Sequence, residues 1–109
     1  ALPVGFLLAT DARGGLKVRG ILRRRTDRVA AIVRLASQDR LLRSGNLPLR
    51  LSIAHANAPA AAEALRIACT RAFSNLESIL VADLGPAYGV HAGPAALALA
   101  IQEYEPPTP

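Results

Sequence analysis

The sequence has few cysteines, few aromatic residues and no uninterrupted apolar run of membrane-spanning length. Its 109 residues include a single cysteine, Cys69, and aromatic residues make up only 4%. One cysteine excludes an internal disulfide framework and is typical of a reducing cytoplasm. Arg, Asp or Gly interrupts every apolar run before it reaches membrane-spanning length, and the amino end lacks the basic region and cleavage pattern of a signal peptide. We therefore expect a cytoplasmic protein without a transmembrane segment.

Residues for metal or nucleotide chemistry are equally scarce. His55 and His91 have no Cys or nearby carboxylate at the spacing of metal ligands. Gly14 and Gly15 lie between two predicted strands and lack the pattern of a phosphate-binding loop. Cys69 falls on the apolar side of a predicted helix, where a buried, inert thiol is expected. The sequence therefore predicts no metal and no cofactor.

Charge is unevenly distributed along the chain. Hydrophobic residues make up 51% and charged residues 19%, which is typical of one globular domain. The net charge is +5, yet residues 1–50 carry eleven Arg or Lys against three Asp, whereas residues 51–109 carry two Arg against five Asp or Glu. Most of the positive charge is arginine, which makes bidentate contacts to carboxylates and phosphates. Two interpretations of this charge remain open: a solvated basic surface, and a surface that binds an acidic partner.

The periodicity of apolar residues predicts the order β-β-α-β-α-β-β, an α/β layered fold with a mixed sheet packed by helices. Residues 6–9 and 16–22 form the predicted hairpin, and residues 49–54 and 77–83 are predicted strands. Thr26 or Asp27 caps the first helix, which Gly45 ends. The second helix has Pro59 in its first turn, after Asn57 or Ala58 as its cap. The predicted buried stripes of the two helices are Val29, Ile32, Val33 and Ala36, and Leu65, Ala68, Cys69, Ala72 and Phe73.

Residues 85–95 form the most informative segment. Two Gly-Pro pairs and Gly89 surround His91, and apolar runs precede and follow the segment. Proline fixes φ and glycine permits conformations that other residues avoid, so the loop is expected to hold one shape. Binding residues concentrate on such loops, although a tight structural connection with a solvent-facing histidine is an equally good interpretation of the residues alone.

The pattern of Gly85, Pro86, Gly89, His91, Gly93 and Pro94, followed by an Ala/Leu run, resembles the carboxyl-terminal signature of the DegV family. These are bacterial fatty-acid-binding proteins that include the acyl-carrying subunits of fatty acid kinase. Two weaker matches agree in order and spacing: the segment from His55 to Pro59, and residues 15–25 with their basic motif. The resemblance covers nearly the whole chain, which we interpret as a single domain, residues 1–109, similar to the carboxyl-terminal domain of DegV proteins (the EDD fold).

The resemblance implies a carrier of long-chain fatty acids that presents the carboxylate to a partner kinase and is not itself an enzyme. Arg23 and Arg25 would contact the head group or the kinase. The family's amino-terminal domain, which holds much of the head group, has no counterpart here, so weak binding and self-association are expected. The resemblance also implies a helical turn near Pro94, a last strand through Ile101 and a polar tail at 102–109. The implied lipid-binding residues are Gly89, His91, Ala92, Gly93 and Pro94, with a slot lined by Ala92, Ala95, Ala96, Ala98 and Ala100.

Two other function classes stay open. Related folds of the dihydroxyacetone kinase group hold substrate covalently on a histidine, a role that His91 would fill, but no carboxylate stands near it in sequence to orient the ring. A nucleic-acid or phosphate module would use a basic patch, which would comprise Arg19, Arg23, Arg24, Arg25 and Arg28. No aromatic residue is interleaved with these arginines for base stacking, so nucleic acid is the less favoured partner.

Overall fold

The computed structural model describes two sheets and two helices in the predicted order. The strands are β1 (Val4–Thr10), β2 (Leu16–Arg23), β3 (Leu49–His55), β4 (Leu76–Asp83) and β5 (Leu97–Glu103), and the helices are α1 (Arg28–Ser37) and α2 (Pro59–Ala72). The described residues are 4–10, 16–23, 27–38, 47–85 and 96–103. The α/β fold class is confirmed.

The predicted amino-terminal hairpin is present. β1 and β2 pair antiparallel, with Val4 opposite Arg23 and Thr10 opposite Leu16, and the register shifts between Leu7 and Leu8. Alternating polar and apolar residues are the pattern expected of such a pair. The hairpin forms a two-stranded sheet of its own, separate from the sheet that contains the other three strands.

Helix α1 begins at a side-chain cap. The Asp27 carboxylate accepts hydrogen bonds from the amides of Val29 (3.0 Å) and Ala30 (3.2 Å), which otherwise have no partner in the first turn. The helix ends at Ser37, before the predicted stop at Gly45, and residues 39–46 lie outside the described part of the chain. The predicted apolar stripe of α1 packs against the core.

The second sheet is mixed, with the order β4-β3-β5. β3 runs parallel to β4 and antiparallel to β5. Along β3 the residues alternate between buried Leu49, Leu51 and Ile53 on one face and the more accessible Arg50 and Ser52 on the other. The sheet therefore has one face packed against the core and one face turned away from it.

The core forms between the packed face of the sheet and helix α2. Burial raises the pKa of the Cys69 thiol, which fits the inert role predicted for it. Ala72 was predicted to be buried but is exposed, because α2 ends there and the extended Phe73 turns its ring into the core instead. The most deeply buried members of the core are Leu49, Leu51, Ile53, Ala62, Leu65 and Cys69.

The opposite side of the sheet is exposed, and we call it the open face. The register places Leu80 and Ala100 on either side of Ser52, and Ala98 and Gln102 follow on the same side of β5. All five are exposed, and Leu80 retains 65% of its accessible surface. The open face thus combines the small side chains of Ser52, Ala98 and Ala100 with one large apolar residue, Leu80, and two longer polar ones, Arg50 and Gln102.

The last apolar segment is a strand, as predicted, and not the helix that its alanines favour. β5 continues through Glu103, which pairs with Leu49, so the predicted tail at 102–109 began two residues too early. The alternation of burial extends to its last two residues, which explains the longer strand. Residues 104–109 and the predicted turn at Pro94 lie outside the described residues. Neither of the two described helices is long and apolar enough to cross a membrane.

Candidate functional site

The residues predicted to bind lipid, Gly89, His91, Ala92, Gly93 and Pro94, lie outside the described part of the chain. Arg25 also lies outside it. Of Arg23 the structure describes the backbone, at the end of β2. These site predictions therefore stay predictions. The structure does describe the residues on either side of segment 86–95.

The described residues on either side of segment 86–95 meet the sheet beside the same residue, His55. His55 is the last residue of β3, and it pairs with Asp83 at the end of β4 and with Leu97 at the start of β5. The Leu84 amide donates to the His55 carbonyl at 2.8 Å, and the Ala56 amide donates to the Ala96 carbonyl at 3.0 Å. The chain therefore leaves and rejoins the sheet at one edge. We call this the histidine edge: His55, Asn57, Asp83, Gly85 and Ala96.

His55 is held firmly at this edge. Its side chain is buried, with 6% of the residue exposed, and Nδ1 accepts a hydrogen bond from the Ala58 amide at 3.0 Å. In the part of the chain that the structure describes, this is the only hydrogen bond of the ring. Because Nδ1 acts as an acceptor, the neutral ring carries its proton on Nε2. His55 thus has one fixed acceptor and one N–H donor.

Asp83 closes the turn that follows β4 at the histidine edge. Its Oδ1 accepts a hydrogen bond from the Gly85 amide at 2.9 Å. This hydrogen bond, with smaller effects of the nearby Asn57 amide and of His55, holds the pKa of the Asp83 carboxyl below its ordinary value, although partial loss of solvent acts in the opposite direction. The carboxylate is therefore ionised at neutral pH.

Two residues at the histidine edge have left-handed backbone conformations. Asn57 has φ +54° and Gly85 has φ +78°. Glycine adopts this region without a steric cost, and asparagine is the residue that otherwise tolerates it best. The turn after β3 and the turn after β4 thus each contain one left-handed residue, and in the turn after β4 the amide of that residue donates to Asp83.

The first turn of α2 lies beside the same edge. Ala58 is the cap residue and makes no side-chain hydrogen bond, and Pro59 occupies the first helical position, as predicted. In open α/β sheets, ligands bind outside the carboxyl ends of the strands, which is where β3 and β4 end here. The described residues contain no group of three potential metal ligands. The chemistry of the edge is therefore hydrogen bonding by the imidazole, the carboxylate and backbone amides.

The predicted slot residues extend from the histidine edge along the sheet. Ala96 is half-buried at the edge, and Ala98 and Ala100 are exposed on the open face. Ala92 and Ala95 lie outside the described residues. A line of small side chains therefore leads from the polar edge onto the open face. It faces away from the packed core.

The structure leaves the basic patch a prediction. Arg24 and Arg25 lie outside the described residues, and of Arg19 and Arg23 only the backbone is described. Two other arginines are engaged with carboxylates: Arg50 contacts Glu77 at 3.2 Å, and Arg66 forms two hydrogen bonds with Glu63. Such exposed pairs contribute little to folding.

Sequence reasoning missed Asp83 as a site residue. It recognised His55 and Asn57 as a weak motif but assigned them no role. One signal was present: His55 directly follows one predicted strand and Asp83 ends another, and the carboxyl ends of parallel strands meet at one edge of a sheet. Using that signal required the knowledge that β3 and β4 are parallel neighbours, which the sequence pattern does not state.

Comparison with known proteins identifies the fold. A crystal structure of a DegV lipid-binding protein from Thermotoga maritima matches with a TM-score of 0.72 and 18% identity, covering 96% of this chain and 36% of that chain. A DegV family protein from Corynebacterium glutamicum matches with a TM-score of 0.70 and 22% identity, covering 95% of this chain and 37% of that chain. This chain thus has the fold of about a third of each neighbour. No family model and no curated protein matches its sequence.

Proposed function

We propose that this chain binds a long-chain fatty acid and acts as a carrier and not as a catalyst. The observation that carries the proposal is the histidine edge, where the strands on either side of the His91 segment both pair with His55. The fold is shared with a protein described as lipid-binding. A fatty acid requires an apolar surface for its tail and a few polar groups for its carboxylate.

In this proposal the carboxylate lies near the histidine edge and the tail lies along the open face. His91 donates a hydrogen bond to the carboxylate, and Gly89, Ala92, Gly93 and Pro94 shape the segment around it. Ala98 and Ala100 leave room for methylene groups, and Leu80 offers apolar contact. Burying apolar surface contributes about 25 cal/mol per Å², so affinity should rise with acyl length.

We expect this chain alone to bind weakly. The open face is one-sided, so a tail lying on it keeps part of its surface in water and loses part of the hydrophobic gain. In a longer protein of the neighbours' length, further residues would cover the tail and complete the head-group site. Arg23 and Arg25 would then contact the head group or the kinase that phosphorylates the carboxylate.

The test is an NMR titration of the ¹⁵N-labelled chain with sodium decanoate below its critical micelle concentration. We expect saturable shifts of the Gly85 and Ala96 amides, tighter binding of longer acids and little effect of salt. Absence of saturable shifts contradicts the proposal. Binding that salt abolishes would favour the nucleic-acid or phosphate alternative, because contacts to phosphates depend steeply on salt.

The role of His91 is tested with a matched pair of variants. His91→Ala removes the proposed donor, whereas His91→Gln retains an N–H group at a similar distance. Weaker decanoate binding in His91→Ala, partly restored in His91→Gln, supports the role when both variants melt like the parent chain. Unchanged affinity in His91→Ala excludes it.

A further inference from the structure

Strand β4 is accessible on both faces of the sheet and along its outer side. The strand order is β4-β3-β5, and no strand of the described residues pairs with the outer side of β4. Leu80 on the open face is mostly exposed, and Val81 on the packed face retains 38% of its accessible surface. Leu84, directly after the strand, is also exposed. Most of the large apolar residues that the described chain exposes therefore lie along this strand. We call residues 79–83 and their outer side the β4 edge.

The β4 edge lacks the features that keep outer strands from pairing with another chain. Residues 78–82 contain no proline and no charge, and the one shift in register lies before them, near Glu77. Outer strands are commonly protected by lysine, proline or a bulge. Strand β5, the other outer strand, exposes only small or polar side chains on the open face and keeps its core-facing ones half-buried. The β4 edge is therefore the outer strand that is better suited to pair with a further strand.

The hydrogen bonds at the end of β4 show which of its backbone groups point outward. The Leu84 amide donates to the His55 carbonyl at 2.8 Å, so residue 84 and every second residue before it point toward β3. The backbone groups of Ile79, Val81 and Asp83 therefore point away from the sheet. No hydrogen bond within the described part of the chain engages the outward N–H and C=O groups of Ile79 and Val81.

We propose that the β4 edge joins two copies of this chain, whose β4 strands pair antiparallel about a two-fold axis at Val81. In this register Val81 exchanges two backbone hydrogen bonds with Val81 of the second copy, and Ile79 does the same with Asp83 of the second copy. Directly opposite residues lie on the same face, so the two three-stranded sheets become one continuous sheet with both open faces on one side. The proposal does not rest on the proposed function.

The side chains favour this register. Leu80 lies opposite Ala82 of the second copy and diagonal to the second Leu80, a distance that long side chains bridge. A two-fold axis at Leu80 would instead place Glu77 opposite Asp83 of the second copy, and like charges directly opposite each other are destabilising. An axis at Ile79 would bring the irregular start of β4 into the pairing. The axis at Val81 avoids both problems and buries the two exposed apolar residues of the strand.

The test follows the mass of the chain by sedimentation velocity at concentrations on the order of 10 to 500 μM, because one strand edge is smaller than a standard interface and its dimer should be weak. We expect the parent chain to change from monomer to dimer across this range. Val81→Lys and Val81→Glu each place like charges opposite each other at the axis, so each alone should weaken the dimer by about tenfold or more.

Mixing these two variants tests the register. Only an axis at Val81 places position 81 of one copy opposite position 81 of the other, so an equimolar mixture of Val81→Lys and Val81→Glu should restore the dimer. Ala100→Lys is the control, because it adds a charge to the open face on the other outer strand. We expect this variant to form dimers like the parent.

Three results would overturn the proposal. A parent chain that stays monomeric at every concentration contradicts the dimer. A dimer that persists in Val81→Lys places the contact elsewhere on the molecule, and a mixture that stays monomeric contradicts the axis at Val81.

If circular dichroism shows that the Val81 variants are unfolded, isotope-filtered NMR of a mixed labelled and unlabelled parent sample decides. The Hα atoms of Leu80 and of Ala82 in the second copy should then show an NOE, because residues outside the hydrogen-bonded pairs lie closest together. A dimer without this NOE contradicts the proposed pairing.

Discussion

The two faces of the three-stranded sheet differ sharply although the same strands form both. On the packed face Leu49, Leu51 and Ile53 retain 2%, 1% and 1% of their accessible surface, whereas Leu80 on the open face retains 65%. Apolar burial, and with it most of the stabilisation, is therefore concentrated on the side that faces α1 and α2. The difference predicts that substitutions on the packed face act on folding, whereas those on the open face and at the histidine edge act on binding.

The largest effect is expected from Leu51→Ala. The side chain is fully enclosed in the core, so its loss removes apolar contacts and leaves a cavity, which should lower the free energy of unfolding by about 2–5 kcal/mol. Urea unfolding followed by circular dichroism measures this change. A loss well below about 1 kcal/mol would mean that the packed face is not the source of stability.

A smaller effect is expected from Asp27→Ala at the start of α1. The substitution removes the acceptor for two amides of the first turn and should lower the free energy of unfolding by about 1 kcal/mol. Asp27→Asn should recover much of this loss, because asparagine is also a good cap. Equal losses in the two variants would show that the charge and not the hydrogen bonds matters.

The pH dependence of the free energy of unfolding below neutral pH should report on Asp83. Its pKa is lowered in the folded chain, so its contribution is complete above the ordinary aspartate pKa and is lost as pH falls through the lower folded-state value. The parent and Asp83→Asn should therefore differ most near neutral pH and converge in strong acid. Urea unfolding at a series of pH values measures both curves, and a constant difference between them would contradict the assignment.

The smallest effect on folding is expected from Leu80→Ser. The residue is mostly exposed, so the free energy of unfolding should change by no more than about 0.5 kcal/mol, whereas binding of longer fatty acids should weaken. Parallel urea unfolding and acyl-length titrations separate the two effects. A large loss of stability with unchanged binding would reverse the roles given to the two faces.

Much of the fold follows from local patterns in the sequence. Alternation predicted the hairpin and β3, Asp27 and Pro59 marked the helix starts, and the resemblance to the DegV family is confirmed as a resemblance of fold. The predicted burial of Ala72 and the predicted end of the last strand at Ile101 were wrong, because both depend on neighbours in space. Helix α2 ends at Ala72 and Phe73 enters the core instead, and pairing with β3 extends β5 to Glu103.

The candidate site was less predictable. The placement of Asp83 beside His55 depends on the register of two parallel strands, β3 and β4. Periodicity reports which face of a strand a residue occupies, but it does not report which strand lies beside it. Segment 85–95, by contrast, was identified from its Gly-Pro pairs, and the structure brings the described residues that flank positions 86–95 together at the histidine edge.

The most direct test of the central claim uses stearate carrying a nitroxide spin label, which broadens the NMR signals of nearby amides. A label near the carboxylate should broaden Asn57, Gly85 and Ala96 at the histidine edge. A label near the methyl end should broaden amides farther along the open face, around Ala100 and Gln102, and spare α1 and α2. Broadening confined to the outer surfaces of the helices, or none at all, would contradict fatty-acid binding at this edge and face.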